Sequence, residues 1–177
     1  KVEILLPDLR PVGGARVDPN GNVSESNENN NTFTDSVVVT AAELVATKTN
    51  NVTGATTLGN GWTWTIVVSN TGNAAANFTS GQTLLSDLLP NANIGYGASV
   101  TVSQSAGVTG TVSASISGSD LTATASGGSV VIPVGETVTL SFTATPSAIG
   151  TFANPRSVGG ARVDPNGNVS ESNENNN

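Results

Sequence analysis

The chain of 177 residues contains no cysteine, no methionine and no histidine, and its aromatic residues are limited to two Trp, one Tyr and four Phe. Without cysteine there is neither a disulfide framework nor a thiolate metal site, so stability outside a reducing compartment has to come from elsewhere. Histidine and cysteine, the commonest catalytic bases and nucleophiles, are missing. There is also no GxSxG elbow, no phosphate-cradling loop and no pair of carboxylates set among aromatics, and together these absences argue against catalysis on an external substrate. Positive charge is scarce, with 6 Lys and Arg against 13 Asp and Glu and a net charge of −7, which argues against nucleic acid as a partner. No run approaches the roughly 20 apolar residues that span a bilayer. The opening Lys-Val-Glu-Ile-Leu-Leu is too short for a signal peptide, so export would rely on a signal outside this sequence.

What is present is repetition. The block VGGARVDPNGNVSESNENNN occupies Val12 to Asn31 and recurs unchanged from Val158 to Asn177. Identity over such a length implies tandem units or a subunit with the same junction at both ends. The expected organisation is an N-terminal junction over 1–31, a β-sandwich over 32–157 and the start of a further junction over 158–177. The expected partners are copies of the chain or adjacent repeats, arranged head to tail.

Between these blocks the chain reads as short period-2 runs punctuated by Gly, Asn and Ser, with no sustained helical period. In GWTWTIVVSN, residues Trp62, Trp64, Ile66 and Val68 share one face; in ETVTLSFTAT, residues Val138, Leu140, Phe142 and Ala144 do so. Further runs at 36–49, 75–78, 99–103, 110–116, 121–125, 129–132 and 151–163 bring the expectation to about eight or nine strands. The predicted fold is an all-β, Ig-like antiparallel β-sandwich with extended terminal segments.

The ordered motifs TWTIVVSNTGNAAANFTS, SDLLPNANIGYG, VIPVGETVTLSFTAT and GTFANP are spread along the stretch from roughly Leu44 to Pro155, most of the core. In this order they resemble the Ig-like conserved repeat domain of bacterial and archaeal surface proteins, whose pattern runs Asn-Thr-Gly, Asp-Thr-Leu-Pro, Pro-Gly-Glu and a final Asn. Leu88 stands here where that pattern has Thr. The flanks, with Pro7-Asp8-Leu9 and the DPNGNVSESNENNN tail, resemble in turn the ends of the cell-adhesion-related domain found in bacteria. The first resemblance implies an extracellular or cell-surface setting. It also draws together Lys48 in the first strand, Asp87 after the middle strands and Asn154 at the end, a trio associated in that family with an intramolecular isopeptide bond. A buried Lys loses its proton, a buried carboxyl keeps one, and the amine attacks the Asn amide with release of ammonia. The plainer alternative is a solvated Lys, a loop Asp and an ordinary Asn before Pro155.

Two further sets of residues are candidates. Asp18, Asn20, Asn22, Glu25 and Glu28, with Asp164, Asn166, Asn168, Glu171 and Glu174 in the second copy, form an oxygen-only set of the kind that suits Ca²⁺. They do not form an EF-hand, and Asp-Pro-Asn-Gly is equally a good turn sequence. At the start of the chain, Val2, Ile4, Leu6 and Asp8 could add as a strand to a neighbour's sheet edge or finish a preceding unit. The functional expectation is a structural repeat unit of an extracellular filament, stalk or fibre, stiffened by Ca²⁺ and an internal isopeptide bond. The alternative is an adhesion or ligand-binding module of a large surface protein, with its ligand on loops such as 91–97.

Overall fold

The computed structural model describes residues 14–154 and 160–177. The strand-addition candidates Val2, Ile4, Leu6 and Asp8 lie outside the described residues. The chain divides into two compact units, Lys1–Val39 and Thr40–Asn177. No helix occurs among the described residues, and none is therefore long and apolar enough to cross a membrane.

In the first unit, strands β1 (Ala15–Arg16) and β2 (Thr32–Phe33) pair antiparallel, Ala15 opposite Phe33 and Arg16 opposite Thr32. Val17 N–H continues the ladder to Asn31 C=O at 2.9 Å. The loop between them closes on Asp18, whose carboxylate accepts the N–H groups of Asn22 and Val23 at 2.8 Å each. These backbone hydrogen bonds hold the Asp18 carboxyl below its ordinary pKa.

The second unit is an all-β sandwich of two antiparallel sheets. One contains β3 (Leu44–Asn50), β4 (Trp62–Asn70), β11 (Thr137–Pro146) and β7 (Ile94–Tyr96) in that order, with β8 (Thr101–Gln104) also on β11. The other runs β12 (Arg162–Val163), β6 (Thr83–Leu88), β10 (Asp120–Ile132) and β5 (Ala76–Phe78), with β9 (Thr109–Ser117) also on β10. The alternation read from sequence is realised in β4 and β11. Ile66, Val68, Val138, Leu140 and Phe142 point inward to meet Phe78, Leu85, Leu121, Val130 and Ile132 from the facing sheet. Each such large side chain contributes about 1.5–3 kcal/mol on burial.

Among the described residues twelve strands are present where about eight or nine were expected. The run 36–49 is a strand only from Leu44 onward, and Val37, Val38 and Val39 are exposed. The runs 121–125 and 129–132 belong to one long β10 whose register against β9 shifts between Ser126 and Val131. β1, β2, β6 and β7 were not anticipated. In the run 151–163, the described strand is only Arg162–Val163.

The described part of the second repeat block, read in the sequence as the start of a further junction, makes specific contacts. It lies within the sandwich unit, with Arg162 paired to Ser86 and Val163 to Leu85. Val163 and Val169 are buried in the core.

Candidate functional site

Strand β3 lies at the end of its sheet and alternates so that Leu44, Ala46 and Lys48 share the inward face. Lys48 thus occupies a position where its strand would otherwise place an aliphatic residue. Its amine lies 4.8 Å from the ring centroid of Trp64 and 5.6 Å from that of Phe142, cation–π distances within an apolar cover. Strand β6, in the facing sheet, sends Leu85 and Asp87 into the interior. The Lys48 side chain is 14% exposed and that of Asp87 is 0% exposed.

The three residues singled out in the sequence meet here. Lys48 Nζ donates to Asp87 Oδ2. Asn154 Nδ2 donates to the same oxygen at 3.4 Å, bringing the segment after β11 onto the pair. Asp87 Oδ1 and Asn154 Oδ1 are both buried without a hydrogen-bond partner. Two orphaned acceptors in one cluster are costly, at about 1–3 kcal/mol each. With a proton on Asp87 and the Asn154 amide turned end for end, the carboxylic O–H would donate to the amide oxygen and satisfy that acceptor.

The electrostatics run the same way. Burial pushes the Lys48 amine below its ordinary pKa of 10.5, against the opposing effect of Asp87. Burial also pushes the Asp87 carboxyl above its ordinary 3.8, against the opposing effect of Lys48. Both directions favour an uncharged pair, a free amine beside a carboxylic acid. Trp64 and Phe142, which create this environment, were legible as inward-facing residues of β4 and β11. Their relation to Lys48 needed the cross-strand register, in which Trp64 faces Phe142 and Asn50.

The oxygen-rich tail residues serve loop closure. Asp164 Oδ1 accepts Asn168 N–H at 2.9 Å and Oδ2 accepts Val169 N–H at 2.7 Å. Glu171 Oε2 accepts Leu44 N–H at 2.6 Å, and Glu174 Oε1 accepts Glu171 N–H at 2.9 Å. Among the described residues, no group of three or more acidic side chains is placed to hold a metal ion. Glu43, which belongs to none of the sequence motifs, accepts hydrogen bonds from Ser172 Oγ, from Asn173 N–H at 2.9 Å and from Asn176 Nδ2 at 2.6 Å.

Beside the Lys48 cluster a cleft of about 470 Å³ is lined by Val52, Leu58, Trp62, Trp64, Ile149 and Phe152, among others. Trp62 packs against both Trp64 and Phe152. No protein-family model matches the chain, and no curated protein matches it in sequence.

Proposed function

We propose that the chain is a self-cross-linking structural unit of an extracellular filament, stalk or fibre, assembled head to tail. The observation that carries this reading is the Lys48–Asp87–Asn154 cluster, buried beneath Trp64 and Phe142, with both ionisable members biased toward their neutral forms. Its chemistry is an intramolecular aminolysis. Neutral Lys48 Nζ attacks Cγ of Asn154 while the Asp87 acid polarises the amide oxygen; the Nζ–Cγ bond forms and the Cγ–Nδ2 bond breaks. Asp87 relays the proton lost by Nζ to the departing nitrogen, which leaves as ammonia, and returns to its starting state. The product ties the first strand of the sandwich to the segment that follows β11. In a chain without cysteine this supplies a covalent closure that a disulfide would otherwise give.

Intact-mass measurement in denaturant tests the reading. The wild-type chain is expected to fall short of its calculated mass by one ammonia, and Lys48→Ala and Asn154→Ala to match theirs. A wild-type chain at full calculated mass would overturn the cross-link.

A second reading, a ligand-binding module of a surface adhesin, is favoured by the aromatic cleft lined by Trp62, Trp64 and Phe152. Glycan binding by the wild type that Trp64→Phe abolishes would support this reading over the scaffold.

A further inference from the structure

The two copies of the repeated block fold alike but are covered differently. Asp18 and Asp164 adopt φ of 41° and 40°, and Gly21 and Gly167 both adopt 61°. The Asp carboxylate accepts the same two backbone N–H groups in each copy. Glu25 N–H donates to Glu28 Oε1, and Glu171 N–H to Glu174 Oε1, at 2.9 Å in both. The block is therefore a preformed module whose conformation does not depend on what surrounds it.

In the second copy, the apolar side of this module seals the sandwich: Val163 is 0% exposed and Val169 8%. Its counterparts in the first copy, Val17 and Val23, are 55% and 61% exposed. An identical sequence in an identical fold thus presents in one place the face that it buries in the other. The structure itself displays what fits that face, namely the β6 edge with the segment Ala42–Leu44.

The backbone edge is also available. Asp164 N–H donates to Leu84 C=O at 2.9 Å, so residues 162 and 164 direct their peptide groups toward β6. In the first copy Val17 N–H donates to Asn31 C=O, so residues 15 and 17 are the ones turned toward β2. The groups of Arg16 and Asp18, equivalent to 162 and 164, lie on the opposite edge. The pairing with β2 leaves free the edge that the second copy uses on β6.

We infer that the first repeat block together with β2, residues 14–33, is a docking plug for the tail site of a second copy of this sandwich, adding β1 and β2 to its β6 edge. The site is the one that residues 160–177 fill within their own unit, so the plug seats where that tail is released. Such a contact joins different surfaces on the two molecules and so propagates as an open head-to-tail chain. This deepens the head-to-tail part of the proposed function and rests on it, but not on the cross-link.

The test uses the full chain with Val163→Asp and Val169→Asp, which empties the tail site while leaving the plug intact. Its mass by light scattering is expected to rise with concentration to that of a dimer and beyond. Wild type, whose site is filled in cis, is expected to associate only at higher concentration, where its tail is displaced, and adding Val17→Asp and Val23→Asp to the first variant returns it to monomer. A folded tail variant that remains monomeric, or oligomers indifferent to Val17 and Val23, would overturn the inference. If the tail variant does not fold, a synthetic peptide of residues 14–34 is added to it. Rescue of the near-ultraviolet signal of the Trp residues supports docking, provided that the same peptide with Val17→Asp and Val23→Asp does not rescue; absence of rescue overturns it. The Lys48→Ala mass comparison is unaffected by these positions, so docking and cross-link fail separately.

Discussion

A lysine and an aspartate occupy inward-facing strand positions in this sandwich, and each alone would be an expensive tenant of an apolar core. Together they share one proton, and this sharing fixes the pH behaviour expected of the proposed reaction. The reactive arrangement, neutral Lys48 with protonated Asp87, holds the same single proton as the ion pair, so the pair titrates as a unit. Bond formation is expected to be bell-shaped in pH: it falls in acid as Lys48 takes a second proton and in alkali as Asp87 loses the only one. In Asn154→Ala, which retains both groups unreacted, the signs can be read from stability. The Asp87 pKa is raised from 3.8, so its contribution is complete below that value and is lost as pH climbs through the raised pKa. The Lys48 pKa is lowered from 10.5, so its burial penalty is full below the lowered value and is relieved as pH rises toward 10.5. Asp87→Asn, which cannot relay a proton, is expected to slow ammonia loss by about 10²–10⁴-fold. Mass spectrometry at intervals after refolding measures both, and a rate indifferent to pH or to Asp87→Asn would rule out the acid's role.

The turn after β4 shows how one element holds the two sheets in register. Asn70 is fully buried; its Nδ2 donates to Ala74 C=O and Ile132 C=O at 2.8 Å each, and its Oδ1 accepts Glu43 N–H at 3.2 Å and Gly72 N–H at 3.1 Å. It therefore joins the end of β4 to the end of β10 in the facing sheet and to the approach to β3. Gly72 completes the turn because a Cβ there would lie 2.5 Å from Glu43 N and 2.6 Å from Ala41 O. Asn70→Ala strips two carbonyls and two amides of their partners and is expected to cost at least about 3 kcal/mol. Urea unfolding measures this, and a change within about 0.5 kcal/mol would show the turn to be incidental. The Asn-Thr-Gly motif was visible in the sequence as a turn, but its clamping role was not, because Ile132 and Glu43 are remote along the chain. β4 and β11 were legible because strict alternation over nine or ten residues leaves little freedom in which face is buried. β6 was missed because Leu84 and Leu85 are adjacent and both buried, at the point where the register against β10 shifts, which hides the period. Val37–Val39 misled in the other direction, since β-branched residues suit a strand whether or not a neighbour exists to pair with. The Lys48–Asp87–Asn154 trio was reached through the family-like motifs; period and spacing alone leave each of the three with an ordinary role.

At the scale of the molecule, the position of the proposed bond matters more than its presence. It joins β3, at the edge of one sheet, to the segment leaving β11, which lies inside the same sheet. Asp87, from the facing sheet, sits against the joint. The loop so closed contains roughly 100 residues, and the chain-entropy argument for a cross-link of that span gives about 4–5 kcal/mol of stabilisation. The tail block falls outside the closed loop and is held non-covalently, by the Val163 and Val169 contacts, β6 pairing, Glu43 and the Ala42–Leu44 segment. With the proposed bond in place the molecule would be divided into a covalently closed sandwich and an exchangeable cap, as the proposed head-to-tail unit requires. Asn154→Ala is expected to lower stability in urea by about 4–5 kcal/mol relative to wild type. Limited proteolysis adds a readout that packing alone cannot reproduce. A single cut between β3 and β11 should leave the wild-type fragments covalently joined in denaturant, whereas the Asn154→Ala fragments should separate. Separation of the wild-type fragments would place the strength of the unit in its non-covalent core.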